Sequence, residues 1–258
     1  MNKYVLITGA STGIGYELAR LFAKNGYNLV LVSRNKKRLE VIAMEMENQH
    51  DIQVKVIPKD LSKSSAPQEL YDDIVADGIN ITMLVNNAGF GINGKFTDVS
   101  VNKHIELIQL NITSLTELCK LFGTDMVKRH SGSILNVAST AAFQAGPFMS
   151  SYYASKAYVL LLSEALNNEL AQDGVNVSVL CPGPTHTEFG VRADMSSAKI
   201  LNVPWVMSAA EVAEIGFSGL MKGKKIIIPG LMNKLLAFSV RFTPRSIMVL
   251  IIRSLNQK

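Results

Sequence analysis

The chain is 258 residues long and has two cysteines, one tryptophan, four histidines and no acidic residue after Glu214. Each scarcity excludes something. Cys119 and Cys181 lie far apart and form neither a disulfide framework nor a zinc pattern, so a reducing compartment is expected. His50, His104, His130 and His186 fall in no ligand spacing, and no metal site is expected. No stretch approaches the ~18 uncharged apolar residues that a spanning helix needs. The densest late run, Ile247 to Ile252, is far shorter. The opening MNKYVLITGAS has no apolar core and no small-residue cleavage site, so no signal peptide is expected and the location expected is cytoplasmic. Linkers, repeats and low-complexity segments are missing too, which argues for one domain.

What is present is a globular composition, 48% hydrophobic and 18% charged. The net charge of +5 is unevenly distributed. Lys222, Lys224, Lys225, Lys234, Arg241, Arg245, Arg253 and Lys258 give the stretch after Glu214 a charge of +8. The remaining 18 basic and 21 acidic residues leave the body at −3, so the basic character belongs to the tail.

Apolar, β-branched runs alternate with helical patterns. Strands are expected at Tyr4–Thr8, Asn28–Ser33, Ile52–Ile57, Ile81–Asn87, Ser133–Ser139, Val175–Cys181 and Lys225–Pro229. Their near-continuous apolarity suits strands buried on both faces of a parallel sheet. Helices are expected from the face Ile14, Leu18, Leu21 and Phe22, and over Lys36–Gln49, Ala66–Asp77, Asp98–Arg129, Tyr152–Gln172 and Ala209–Met221. The alternation implies an α/β fold, a Rossmann-type doubly wound parallel sheet of about seven strands in a single domain. Residues 1–229 are expected to form the dinucleotide-binding and catalytic body, and residues 230–258 an amphipathic basic extension of it.

Two glycine clusters compete for a phosphate. Gly89, Gly91 and Gly94 match G-x-G-x-x-G literally, and Gly89, Gly94 and Lys95 nearly spell a P-loop. That cluster follows a strand but opens no helix, since the next helical pattern begins near Asp98. Phe96 stands where a P-loop needs Ser or Thr. The earlier cluster, TGASTGIG at Thr8–Gly15, follows the first strand and opens the first amphipathic helix. There Gly9 makes the tight turn, Gly13 admits a pyrophosphate and Gly15 lets the helix approach the sheet, while the helix N-terminus attracts the anion. Asn87–Gly89 is then left as a wall beside the cofactor, and Phe90–Phe96 as a flexible rim near the substrate.

The second strand ends in Ser33 and Arg34, with Lys36, Lys37 and Arg38 just beyond. An acid at that place would hold the ribose 2′-hydroxyl of NAD; an arginine suits a 2′-phosphate, so NADP(H) is expected over NAD(H). Further on, Tyr152 and Lys156 are four apart on one expected helix. An ammonium beside a phenol favours the phenolate and makes the pair a plausible proton donor. Spacing leaves Tyr153, three residues from Lys156, as an alternative.

Together these residues resemble the short-chain dehydrogenase/reductase family over nearly the whole chain, Lys3 to about Pro229. The motifs are T-G-x-x-x-G-x-G at Thr8–Gly15, Asp60 after the third strand, N-N-A-G at Asn86–Gly89 and Asn111 in the long fourth helix. Ser139 lies thirteen residues before Y-x-x-x-K at Tyr152–Lys156, and P-G-x-x-x-T follows at Pro182–Thr187. The resemblance implies that Tyr152, not Tyr153, protonates the carbonyl oxygen in reduction. It implies that Lys156 lowers the tyrosine pKa and holds the nicotinamide ribose, that Ser139 bonds the substrate oxygen, and that Asn111 holds a water linking the lysine to bulk. It places Gly9, Ser11, Gly13, Ile14, Gly15, Asn87, Ala88 and Gly89 along the cofactor, and Asp60 and Leu61 at the adenine. Pro182, Gly183 and Thr187 fall at the carboxamide and diphosphate, and Arg34 at the basic position of NADP-preferring members. The position after Ser11, basic in some NADP enzymes, is Thr12.

The implied activity is NADPH-dependent reduction of an apolar ketone or 3-oxoacyl group, or the reverse oxidation of a secondary alcohol. The branch it resembles holds 3-oxoacyl and hydroxysteroid reductases and related bacterial oxidoreductases. The alternative is a non-catalytic NADP(H)-binding sensor or scaffold; the intact Asn–Ser–Tyr–Lys set argues against it, because a sensor needs no proton donor. The resemblance also implies a homo-dimer or homo-tetramer through the Asp98–Arg129 and Tyr152–Gln172 helices. The segment Thr185–Met207 and the C-terminus are expected to shape the substrate pocket. The tail, with Leu231, Leu235 and Phe238 at helical spacing, admits three readings: a lid or subunit contact, a seat on an anionic membrane, or a site for an anionic acyl carrier. Few aromatics and no known motif argue against nucleic acid.

Overall fold

The computed structural model describes residues 3–193 and 203–257. Its first half alternates β1 (Tyr4–Thr8), α1 (Gly13–Lys24), β2 (Asn28–Ser33), α2 (Lys36–Gln49), β3 (Val54–Pro58), α3 (Ala66–Ala76) and β4 (Ile81–Asn86). Then come α4 (Val101–Ile108), α5 (Leu115–Lys128), β5 (Gly132–Val137), α6 (Ser150–Leu170) and β6 (Val175–Leu180). The last part holds β7 (Thr185–His186), α7 (Phe189–Arg192), β8 (Met207–Ser208), α8 (Ala209–Met221), β9 (Ile226–Ile227), α9 (Leu231–Ser239) and α10 (Arg245–Asn256).

Seven strands form one parallel sheet in the order β3-β2-β1-β4-β5-β6-β9. The pleat sorts their side chains into two layers. Leu6 and Val30 face one layer, with Leu70, Phe122 and Val159. Val5, Ile7, Leu29 and Leu31 face the other, with Leu18, Phe22, Leu39 and Leu220. Helices cover both faces, which is why the strands read as continuous apolar runs. From β1 the chain winds outward to β3, then returns to place β4 against the other side of β1. The strand order therefore reverses beside β1, and a crevice opens at the carboxyl ends of β1 and β4. Phe22 and Leu18, both fully buried, pin α1 to the sheet and aim its N-terminus at that crevice.

All seven expected strands are present, though β9 is cut to two residues. The expected helix Asp98–Arg129 is not continuous α-helix. It starts at Val101 and is interrupted by a π-helical turn over Gln109–Ser114. The short parallel pair β7–β8 has too few residues to leave a periodic signal. Part of the expected substrate segment Thr185–Met207, residues 194–202, lies outside the described residues.

Candidate active site

The glycine turn stands at the crevice as its spacing demands. Gly9 and Gly13 both take positive φ, +65° and +56°, which glycine alone adopts without strain. A Cβ on Gly15 would collide with the Asn87 carboxamide and the Gly9 carbonyl, so its role is close packing. α1 opens at Gly13 with no side-chain cap and no acid in its first turn. Its leading N–H groups are thus available to an anion. The N-N-A-G stretch is bolted to the same turn: Asn87 Nδ2 donates to the carbonyls of Thr8 (3.0 Å) and Gly9 (3.2 Å). The backbone N–H groups of Asn87 and Ala88 both donate to Thr8 Oγ1 at 3.0 Å. Across the crevice, Thr187 lies 3.1 Å from where a Gly13 Cβ would stand.

At the end of β2 the Ser33 hydroxyl is buried with no hydrogen-bond partner, and the exposed Arg34 lines the same crevice. Arg38 reaches over to Glu188 at 3.0 Å, so the basic run is spatially divided between rim and crevice. Burial pushes the Asp60 carboxyl up, but the Ser62 hydroxyl and N–H, with Arg34 and Lys63 nearby, more than offset this and hold it below the usual range. These groups fit the polar end of a dinucleotide: open helix N–H donors for the diphosphate, and an unspent hydroxyl beside a guanidinium for a further anion.

One continuous cleft of about 360 Å³ joins this end to the expected catalytic set. Gly9, Ser11, Gly13, Ile14, Arg34, Asp60, Leu61, Asn87, Ala88, Gly89, Ser139, Tyr152, Lys156, Pro182, Gly183 and Thr187 all line it. Gly15 and Asn111 do not: Gly15 packs beneath the turn, and Asn111 sits behind Gly89. Ser139 follows β5 and opens a short 3₁₀ turn, accepting from the Ala141 N–H at 3.1 Å. Tyr152 and Lys156, both buried, come from the first turns of α6. The Tyr153 hydroxyl is instead engaged by Asn256 at 3.3 Å, while that of Tyr152 meets Ser139, which separates two tyrosines that spacing could not.

The electrostatics of the pair are set by burial. Lys156 Nζ donates to the Val137 carbonyl at 2.8 Å and lies 5.8 Å from the Tyr152 ring centroid. Burial drives the Tyr152 phenol far above its ordinary value, and the Ser139 hydrogen bond only partly reverses this. Burial also lowers Lys156 from 10.5 to about 8. Burial dominates both groups: the phenol is shifted by desolvation, Ser139 and Tyr153, and the ammonium by desolvation and Cys181. A phenol held in its protonated form suits a donor rather than a base.

Asn111 occupies the π-helical turn, a departure from α-helix that carries its side chain inward. Its Oδ1 accepts from Phe90 N–H at 3.1 Å, and its Nδ2 donates to the Phe90 carbonyl (3.0 Å) and to Ser155 Oγ (3.1 Å). Asn111 Oδ1 and Lys156 Nζ lie 3.1 and 3.6 Å from the position of a Gly89 Cβ, so any side chain there would intrude between them.

Beyond the cofactor end the cleft is lined mainly by Phe90, Leu110, Met149, Tyr153 and Phe189, with Glu106 and Gln144 as the polar side chains among them. Sequence reasoning missed the residues that hold this end. Asn256, at the end of α10, is fully buried; its Nδ2 donates to the Pro147 carbonyl at 3.0 Å, and its own carbonyl accepts from Asn93 Nδ2 at 3.0 Å. Ile252, Met248 and Leu255 pack into the same cluster as Met149, Tyr152 and Phe189. Asn233 of α9, also buried, abuts Gly183 so closely that no Cβ fits there. An asparagine in a tail leaves no periodic signal; only its burial reveals it. The rim Phe90–Phe96, expected to be flexible, is tied down as well: Asn93 N–H bonds the Ala193 carbonyl (3.2 Å) and Gly94 N–H the Phe148 carbonyl (2.8 Å).

Fold and site define a dinucleotide-dependent oxidoreductase with a buried Tyr–Lys pair beside a half-buried serine. The short chain dehydrogenase model matches residues 3–196. The ketoacyl reductase HetN of Nostoc is 35% identical over 212 residues, 81% of this chain and 73% of that protein. A short-chain dehydrogenase from Sphingobium yanoikuyae, solved in complex with NADPH, superposes with a TM-score of 0.85 at 32% identity, covering 95% of each chain. The bulky-bulky ketone specific alcohol dehydrogenase of Comamonas testosteroni gives a TM-score of 0.79 at 31% identity, covering 94% of each. The chain belongs to the short-chain dehydrogenase family and is an enzyme, an NAD(P)-dependent oxidoreductase acting on small molecules.

Proposed function

We propose that the enzyme is an NADPH-dependent carbonyl reductase for bulky apolar ketones or 3-oxoacyl groups. The observation that carries this reading is the single cleft, polar at the Gly9–Gly15 end and apolar around Phe90, Met149 and Phe189, with Ser139 and Tyr152 between. The unspent Ser33 hydroxyl beside Arg34 supports NADPH over NADH, because a 2′-phosphate would accept hydrogen bonds from both. The relatives named above, a ketoacyl reductase and a ketone-specific dehydrogenase, support the substrate class.

A bound nicotinamide would supply the hydride. This chain's part is to bind, orient and protonate. The Gly9–Gly15 turn and the α1 N-terminus hold the diphosphate, with Asn87–Gly89 as one wall and Pro182, Gly183 and Thr187 as the other. Asp60 and Leu61 flank the adenine, and Lys156 holds the nicotinamide ribose. As negative charge builds on the carbonyl oxygen, the Ser139 and Tyr152 hydroxyls donate to it, and Tyr152 gives up its proton. Lys156 and Asn111, gathered around Gly89, pass a replacement proton inward. Residues 230–258 act as an extension of the same domain, seated through Asn256. Assembly into a homo-oligomer through α4–α6 and a cytoplasmic location belong to the same proposal.

The test is an NADPH-oxidation screen over ketones, steroids and 3-oxoacyl thioesters, with NADH in parallel. Tyr152→Phe should lower turnover on any accepted substrate by ~10²–10⁴-fold while leaving NADPH binding intact. Full turnover by that variant would refute the assignment.

A further inference from the structure

The C-terminal helices leave large apolar side chains in solvent, and α9 is amphipathic in the reverse of the usual sense. α9 buries the polar Asn233 and small Ala237, while Leu231, Leu235 and Phe238 point to solvent. α10 buries Ile252 and Asn256 and presents Ile247, Leu250 and Ile251 outward. Between them Phe242 is 74% exposed; Leu231 and Leu250, at 73% and 64%, are nearly as bare. The Phe238 and Phe242 rings pack 5.2 Å apart in the open, with the Arg241 guanidinium 6.0 Å over Phe238. No acid occurs after Glu214, and Lys234, Arg241, Arg245 and Arg253 are all exposed among these apolar side chains. No helix among the described residues is long and apolar enough to cross a membrane.

The geometry points to a peripheral docking face on α9–α10 for an anionic lipid bilayer. Bare leucine, isoleucine and phenylalanine flanked by lysine and arginine is the chemistry of a helix lying in a bilayer interface. A second copy of this chain is the weaker occupant, because a two-fold contact through a face with no acid would set like charges together. Docking leaves the buried side of α10, with Asn256 on Tyr153, facing the substrate end of the cleft. A lipid-borne substrate would thus meet the protein beside its pocket.

The full-length protein is sedimented with vesicles of phosphatidylcholine alone or of phosphatidylcholine with phosphatidylglycerol. Pelleting is expected with the anionic vesicles only, and it should weaken steeply as salt rises from about 0.1 to about 0.5 M. Phe242→Asp with Leu250→Asp should abolish pelleting while turnover of a water-soluble ketone stays at the parent level. Each of Lys234→Gln and Arg241→Gln should cost about five-fold in vesicle affinity. Failure to pellet with anionic vesicles overturns the proposal, as does equal pelleting with both vesicle types. It is also overturned if the aspartate pair abolishes self-association instead, or if the face retains only immobilised acyl carrier protein. These readouts need no turnover, so they stand apart from the reductase assignment.

Discussion

Lys156→Met should abolish turnover in the presence of cofactor and, in the cofactor-free protein, raise stability at neutral pH. Burial lowers the ammonium from 10.5 to about 8, so the folded state resists the charge that the unfolded chain carries freely. At ~1.36 kcal/mol per pKa unit, keeping Lys156 protonated in the fold costs ~3 kcal/mol. Methionine fills a similar volume without that charge. It forfeits the 2.8 Å hydrogen bond to the Val137 carbonyl, worth ~1 kcal/mol. The net gain is ~2 kcal/mol near pH 7, or roughly 4–8 °C in Tm for a chain of this size. The pH dependence follows from the sign of the shift. Below about 8 both states hold the proton and the parent bears the full cost. Between about 8 and 10.5 the unfolded state binds more protons, so parent stability rises with pH and then levels off. Above 10.5 the cost is gone, and Lys156→Met, lacking the hydrogen bond, should be slightly the less stable. Melting curves of both proteins from pH 6.5 to about 10.5 test this window. A variant less stable than the parent at pH 7, or a difference that does not change with pH, would refute the reasoning.

Two further predictions follow from single contacts. Arg34→Ala should raise the Kd for NADPH by ~10–100-fold and leave that for NADH nearly unchanged, since one charge-assisted contact to a phosphate is lost; equal loss for both cofactors in fluorescence titrations would contradict the assignment. Asn256→Ala leaves the buried Tyr153 hydroxyl and the Pro147 carbonyl without their partner, a cost of ~1–3 kcal/mol. The seat of α10 should loosen, seen as faster amide exchange in Arg245–Asn256 and a raised KM for bulky ketones with kcat little changed; unaltered exchange would show that Asn256 is not the anchor.

Local rules reached far into this chain. The alternation of strand and helix, the seven-strand parallel sheet and the choice of Gly9–Gly15 over the literal fingerprint at Gly89–Gly94 all follow from the neighbours of each residue. A βα turn must supply positive φ and a helix N-terminus within a few positions, so its chemistry is written in adjacent residues. Tyr152 and Lys156 shared a helix face by spacing alone, yet spacing left Tyr153 open. The family resemblance pointed to Tyr152, and the structure adds a physical ground that spacing lacks: Asn256, 103 residues away, occupies the Tyr153 hydroxyl.

The tertiary structure alone decided what depends on burial and on distant partners. The π-helical turn that carries Asn111 inward is invisible to a period of 3.6 residues. The pinned rim of Asn93 and Gly94 depends on carbonyls of Ala193 and Phe148. The inverted pKa relation of Tyr152 and Lys156 arises from desolvation, which no spacing encodes. The tail shows the division most clearly. Its basic charge and helical period were plain in the sequence. Which face would be buried was not, because α9 turns Asn233 inward and Leu231, Leu235 and Phe238 outward, and α10 buries Asn256 beside Ile252 while leaving Ile247, Leu250 and Ile251 in solvent, against the rule that hydrophobic periodicity marks the core.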